Sequence, residues 1–120
     1  MSSSLVQYVV VRGDLIKELK WPLGAVIAQA CHAVTAVVHL FYEDECTKQY
    51  LSDVDNMHKV VLEAPDEKSI ADLKVKLDEN HVKHKLWIEQ PEGIPTCVAV
   101  KPYPKDEVQK YFKKFKLFKT

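Results

Sequence analysis

The sequence predicts an α/β fold, a three-layer α/β/α sandwich with a four-stranded mixed, mostly parallel sheet in the order β-α-β-α-β-β-α. Four short runs rich in β-branched and aromatic residues have the length of strands. Helical patterns separate the first three runs, which favours parallel strands joined by crossover helices. A chain of 120 residues suits one domain, and we expect it to span residues 1–120.

The first strand is predicted over residues 6–11, where the run VQYVVV is almost continuously apolar. Such continuity is typical of a central strand that is covered on both faces. An irregular connection over residues 15–21 leads to a long helix over residues 22–42. Pro22 suits the first turn of this helix, because a proline lacks only the N–H group that would have no partner there.

This helix is also the longest apolar stretch of the chain, and four polar residues interrupt it: Gln29, His32, Thr35 and His39. A membrane span would rarely carry an amide and two imidazoles. We therefore expect a buried helix and no association with a membrane.

A second strand and a second crossover helix follow. The strand is predicted over residues 58–63. Asp66 is the expected N-cap of the helix, because a short carboxylate accepts hydrogen bonds from the free N–H groups of a first turn. Ile70, Leu73 and Leu77 recur at helical spacing and form its predicted buried stripe.

The last part of the chain is predicted to contain two strands and a final helix. The strands cover residues 85–89 and 96–100, and the short turn between them makes the pair antiparallel if they are neighbours. An amphipathic helix over residues 105–115 follows. It is expected to turn four side chains to the core: Val108, Tyr111, Phe112 and Phe115.

Composition excludes several classes of protein. Hydrophobic residues make up 47% of the chain, too many for a disordered protein, and 17 basic residues balance 17 acidic ones. Cys31, Cys46 and Cys97 are odd in number and widely spaced, which fits reduced thiols and a cytoplasmic location. The five histidines lack zinc-type spacing and the three glycines form no phosphate loop, so we expect no metal and no cofactor.

Two polar residues of the long helix are the first candidates for function. Gln29 and His32 share one face with Ala25, Ala36 and His39, at spacings of three and four residues. A buried polar group without a partner destabilises a protein by about 1–3 kcal/mol, so both need partners. Either they line a site at the helix N-terminus, which favours an anion such as phosphate, or they bond to neighbouring loops.

Two further candidates lie at strand ends. Glu89 ends the third strand and Thr96 begins the fourth. Sites in α/β sheets usually lie at strand ends, so these side chains are expected to meet Gln29 and His32. Lysines are concentrated near the C-terminus, where they form either a phosphate-binding patch or an ordinary solvated helix face. These lysines are Lys105, Lys110, Lys113, Lys114, Lys116 and Lys119.

Six collinear segments cover nearly the whole chain: Arg12-Gly13-Asp14-Leu15, Ala28-Gln29-Ala30-Cys31-His32-Ala33, Lys59-Val60-Val61-Leu62, Ile88-Glu89, Thr96-Cys97-Val98-Ala99-Val100-Lys101-Pro102 and Lys116-Leu117-Phe118. In this order they resemble the type 2 peptidyl-tRNA hydrolases. The forms Trp87-Ile88-Glu89-Gln90-Pro91-Glu92 and Lys101-Pro102-Tyr103-Pro104 look most like the branch called peptidyl-tRNA hydrolase domain-containing protein.

The resemblance implies a commonly dimeric α/β/α domain that hydrolyses the ester between a peptide and tRNA. It implies that Gln29, His32 and Thr96 are at or near the site. Three departures stand out. The family carries Lys where this chain has Ala25, it carries Asp where this chain has Glu89, and its Thr-containing loop is shortened to residues 90–95. A lost cationic donor typically lowers a rate by about 10²–10³-fold.

Two hypotheses follow from the resemblance. In the first, the chain hydrolyses peptidyl-tRNA. Glu89 or His32 orients or deprotonates the attacking water, and Gln29 and Thr96 hold the ester end and its oxyanion. In the second, a catalytically impaired homologue binds tRNA or a protein through the same surface. In both, three C-terminal lysines are candidates to contact tRNA: Lys110, Lys113 and Lys114.

Overall fold

In the computed structural model, which describes residues 4–119, six strands form one mixed sheet. The order across the sheet is β3-β4-β1-β2-β6, and β5 pairs with the first residues of β1. The strands are β1 (Leu5–Arg12), β2 (Lys59–Ala64), β3 (His84–Glu89), β4 (Ile94–Val100), β5 (Tyr103–Pro104) and β6 (Lys116–Leu117).

The α/β class, the mixed sheet and the predicted order of the main elements are confirmed. The β3–β4 hairpin is antiparallel, as its short turn predicts. Two details differ from the prediction: the sheet has six strands, and β1–β2 is the one parallel pair within residues 4–119. The reason is that β4 returns from the hairpin to pair with β1, and β6 returns along the free edge of β2.

Five α-helices accompany the strands between residues 4 and 119. The long predicted helix is observed as α2, and the predicted irregular connection before it begins with the single turn of α1. The short α3 was missed, because its sequence is mostly polar. The helices are α1 (Asp14–Lys17), α2 (Leu23–Leu40), α3 (Glu45–Leu51), α4 (Glu67–Glu79) and α5 (Lys105–Val108).

Strand β1 divides the core into two layers, because successive side chains of a strand point to opposite faces. One face carries Val6, Tyr8 and Val10, which pack with the buried stripe of α4. The other face carries Val9 and Val11, which pack with α2. Both faces of β1 are therefore covered, as its continuous apolar run predicts.

The start and the buried stripe of α4 are also confirmed. The Asp66 carboxylate accepts hydrogen bonds from the backbone N–H of Ser69 at 2.9 Å and from the Ser69 hydroxyl at 2.9 Å. Ile70, Leu73 and Leu77 are all buried.

The predicted final helix over residues 105–115 is wrong in length. Helix α5 ends at Val108, and a 3₁₀ turn over Gln109–Tyr111 follows. The tighter turn brings Phe112 to the core, where its ring stacks on Tyr8 with centroids 4.3 Å apart. Aromatic residues have modest helix propensity, so tertiary packing decides the backbone here.

Within residues 4–119, α2 is the one helix long and apolar enough to span a membrane, with a mean hydropathy of 1.6. A core helix meets the same criterion. Helix α2 packs against β1, β3 and β4 through Val26, Ala33 and Val37, which are buried. The apolar face of α2 is therefore part of the protein core.

Candidate functional site

Gln29 and Thr96 form a buried pair that joins α2 to β4. Gln29 is 1% exposed and Thr96 is 0% exposed. The Thr96 Oγ1–H group donates a hydrogen bond of 2.8 Å to Gln29 Oε1, and Gln29 Nε2 donates to the Ala25 carbonyl oxygen at 3.1 Å. The amide is thus held at both ends.

A bulge in the β3–β4 hairpin turns Thr96 toward α2. Trp87 is paired with Cys97 and Ile88 with Pro95, so Thr96 is the extra residue of β4. Cys97 packs on the α2 side of the sheet. Regular alternation would point Thr96 to the opposite side, and the bulge changes this direction.

Arg12 holds the start of β4 in place. Its Nε and Nη2 atoms donate to the two oxygens of the Asp14 carboxylate, both at 2.9 Å, and its Nη1 donates to the Pro95 carbonyl oxygen at 3.0 Å. The hydrogen bond with Asp14 is the main reason that the pKa of Arg12 is raised, so the guanidinium stays charged. Arg12 thereby fixes the residue that precedes Thr96.

Glu89 and His32 meet through Trp87. The Trp87 Nε1–H group donates to Glu89 Oε1 at 3.0 Å. The His32 ring stacks on the Trp87 ring, with centroids 4.8 Å apart and planes 24° apart. His32 is exposed and Glu89 is partly exposed, so both can reach a ligand from solvent.

The surroundings keep the Glu89 carboxylate ionised. Its pKa is lowered from the ordinary 4.5, chiefly by the hydrogen bond from Trp87. Burial opposes this effect and is the second-largest cause, and the Gln29 amide and the His32 imidazole lower the pKa by smaller amounts. Such a carboxylate accepts hydrogen bonds well but is a weaker base than an ordinary glutamate.

The turn after Glu89 closes the hairpin beside the site. The Gly93 N–H group donates to the Glu89 carbonyl oxygen at 2.7 Å, and Gly93 adopts a φ of 70°. A residue without Cβ is suited to this left-handed conformation. The turn thereby brings the end of β3 and the start of β4 together.

The four residues predicted from the sequence lie in two contact chains, His32–Trp87–Glu89 and Gln29–Thr96. The Gln29 amide lowers the pKa of Glu89, so the two chains adjoin. The sequence analysis did not select Trp87 or the brace formed by Arg12. A signal for Trp87 was present, because residues two apart on a strand point to the same face. Nothing local indicated that Arg12 would reach Pro95.

Ala25 lies beside the Gln29–Thr96 pair. It is partly buried on the same α2 face, and its carbonyl oxygen accepts the hydrogen bond from Gln29. Its side chain is an uncharged methyl group.

The predicted tRNA-binding lysines follow α5 along the chain. Lys110, Lys113 and Lys114 are all exposed. Lys110 lies over the Tyr111 ring, with Nζ 5.4 Å from its centroid. Lys114 lines a cleft of about 490 Å³ at the ends of β1 and β2, together with Asp14 and other residues.

The described residues do not suggest a metal site. Between residues 4 and 119, no three His, Cys, Asp or Glu side chains are grouped so that they could hold an ion.

Comparison with known proteins identifies relatives over nearly the whole chain. Residues 5–118 match the family model for "Peptidyl-tRNA hydrolase PTH2". The human protein named "Putative peptidyl-tRNA hydrolase PTRHD1" is 52% identical over 116 residues, which cover 96% of this chain and 83% of the human protein. The mouse protein of the same name has the same identity and coverage.

Proposed function

Because the chain belongs to the PTH2 family of peptidyl-tRNA hydrolases, we propose that it cleaves the ester between a peptide and the terminal ribose of tRNA. The observation that carries this proposal is the connected group at the β3–β4 hairpin. An ionised carboxylate accepts a hydrogen bond from the N–H edge of one indole ring, and an exposed imidazole stacks on the face of the same ring. A buried amide and hydroxyl pair with each other on the neighbouring elements.

In the proposed reaction, water attacks the ester carbonyl carbon, and the bond from that carbon to the ribose oxygen breaks. Glu89 orients the water by accepting one of its hydrogen bonds. His32 accepts the proton that the water loses and returns it to the departing ribose oxygen. This division follows from the lowered pKa of Glu89, which makes it a weak base, and from the ability of imidazole to exchange protons near neutral pH.

Gln29 and Thr96 have a positioning role in this proposal. The sequence-based hypothesis had them hold the ester end and the oxyanion directly. Their near-complete burial favours an indirect role, in which Thr96 orients the Gln29 amide and the amide supports the Glu89 carboxylate from below. Placement of a reacting group is worth much of an enzymatic rate, and a shift of about 1 Å can lower it about 10²-fold.

One observation favours the second function, an impaired homologue that binds tRNA or a protein without cleaving it. The group contains no cation at the Ala25 position, where the family that this chain resembles has Lys. A positive charge stabilises the negative charge that develops on the ester oxygen. Binding does not require this charge.

Release of peptide from a model peptidyl-tRNA by the purified protein tests the two functions. Measurable turnover that falls about 10²-fold or more in Glu89→Gln supports the hydrolase. The conservative Thr96→Ser variant keeps the hydroxyl and serves as the matched control, with turnover close to the unmodified protein. Undetectable turnover together with salt-sensitive binding of tRNA would refute the hydrolase and support the binding function.

We also propose that two copies associate through an apolar groove beside α2. This groove of about 580 Å³ lies between α2 and the β2–β6 edge. Leu23 and Ile27 on its rim are 52% and 56% exposed, and Val61 is 39% exposed. Light scattering of the unmodified protein and of Ile27→Glu tests this, since a charge in the groove should shift a dimer to monomer.

A further inference from the structure

We propose that Lys114, Lys116 and Lys119 bind phosphate groups of the tRNA backbone at the β2–β6 edge of the sheet. This inference rests on the proposed function in that tRNA is the ligand. Of the three lysines predicted from the sequence to bind tRNA, this proposal includes only Lys114.

The three lysines line adjoining clefts at one edge of the molecule. Lys114 and Lys116 line the cleft of about 490 Å³ at the ends of β1 and β2. Lys116 and Lys119 line a neighbouring cleft of about 400 Å³, and both clefts include Lys17 and Glu63. A row of lysines along connected clefts suits a backbone with regularly spaced phosphates.

The lysines are available for an external anion. All three are exposed in the single chain, and none has a carboxylate within 4 Å in the part of the chain that the structure describes. Lys119 also lines the apolar groove proposed for self-association, so Lys114 and Lys116 are the two that lie outside that groove. Two of the acidic groups at the clefts already have partners, because Glu63 pairs with Lys17 at 3.0 Å and Asp14 binds Arg12. The remaining carboxylate is Glu18. Lysines and carboxylates are equal in number in the larger cleft, and the excess of positive charge lies in the smaller cleft, where three lysines meet one carboxylate.

The backbone that carries these lysines is fixed to the sheet. Lys116 is paired with Glu63 and Leu117 with Leu62, and the Phe118 N–H group donates to the Val61 carbonyl oxygen at 3.0 Å. A fixed backbone loses less conformational entropy on binding than a free tail would.

A chain of contacts links the larger cleft to the proposed active site. Asp14 lines this cleft and binds Arg12. Arg12 in turn binds the Pro95 carbonyl oxygen, and Pro95 immediately precedes Thr96. The cleft and the start of β4 therefore lie at the same end of the sheet. The cleft is lined by Lys114 but not by Lys110 or Lys113.

Binding of deacylated tRNA at several salt concentrations tests the inference without requiring hydrolysis. Each lost phosphate contact reduces the slope of log K against log salt by about 0.7–0.9. We expect the triple variant Lys114→Gln, Lys116→Gln, Lys119→Gln to lose about 2 from this slope and to bind about tenfold more weakly at low salt. Circular dichroism melting verifies that the variant is folded.

A matched triple variant controls for net charge. Lys76→Gln, Lys83→Gln, Lys105→Gln removes the same charge from exposed positions near the other ends of β1 and α4, and its slope should not change. Equal losses in both variants, no loss in either, or no tRNA binding by the unmodified protein would overturn the inference. Binding with the expected slopes but without peptide release would refute the proposed hydrolase activity and would still support phosphate binding by Lys114, Lys116 and Lys119.

Discussion

Replacing Thr96 by valine removes one hydrogen-bond donor and keeps the size and branching of the side chain. Gln29 Oε1 now accepts its hydrogen bond from Thr96 at 2.8 Å, and both side chains are almost fully buried. In Thr96→Val this oxygen stays buried without a donor, which destabilises the fold by about 1–3 kcal/mol. That free energy corresponds to a factor of roughly 5–150 in the unfolding equilibrium constant.

Urea denaturation followed by tryptophan fluorescence measures this loss. A fall of about 1–3 kcal/mol in the free energy of unfolding is expected for Thr96→Val. Thr96→Ser, which keeps the donor, should lose less than about 1.5 kcal/mol. Turnover of peptidyl-tRNA should fall about 10²-fold in the valine variant, because the Gln29 amide no longer has a fixed position.

A double-mutant cycle with Gln29→Met separates the hydrogen bond from general effects of substitution. The double variant Gln29→Met, Thr96→Val leaves no unpaired polar atom between α2 and β4. It should therefore be less destabilised than the sum of the two single variants, with a coupling of about 0.5–3 kcal/mol. Additive free energies, or a Thr96→Val protein as stable as the unmodified one, would refute the reasoning.

Three further predictions concern charge, rate and close packing. Because the hydrogen bond from Trp87 lowers the pKa of Glu89, its carboxylate should stay ionised below the pH at which an ordinary glutamate is protonated. Trp87→Phe removes this main cause and should raise the pKa of Glu89 in an NMR titration of its carboxyl carbon, whereas an unchanged titration would contradict the assignment. Ala25→Lys places a cation beside the site and should raise the rate of hydrolysis by up to about 10²-fold in a peptide-release assay. An unchanged rate would show that the lack of a cation at this position does not limit hydrolysis. A Cβ atom at Gly13 would collide with the Glu63 carboxylate, so Gly13→Ala should destabilise the protein by about 1–3 kcal/mol in urea denaturation. The control is Gly24→Ala, whose added Cβ meets nothing within 4 Å and which should not destabilise the protein.

Local sequence pattern determined much of this fold. The continuous apolar run of β1 predicted a central strand covered on both faces, because such a strand has no side that water could solvate. Asp66 predicted the start of α4, since capping needs only a side chain and the N–H groups of the next turn. The shared face of Gln29 and His32 also followed from helical spacing alone.

Tertiary structure decided the geometry of the candidate site. The Thr96 hydroxyl reaches Gln29 because a bulge in β4 turns it toward α2, and that bulge depends on pairing with β3. Strand alternation along the sequence would have pointed Thr96 away. Likewise, the Arg12 guanidinium reaches Pro95 across 83 residues of chain. Contacts between residues distant in sequence depend on how helices and strands pack against one another. The local periodicity of the sequence does not specify this packing.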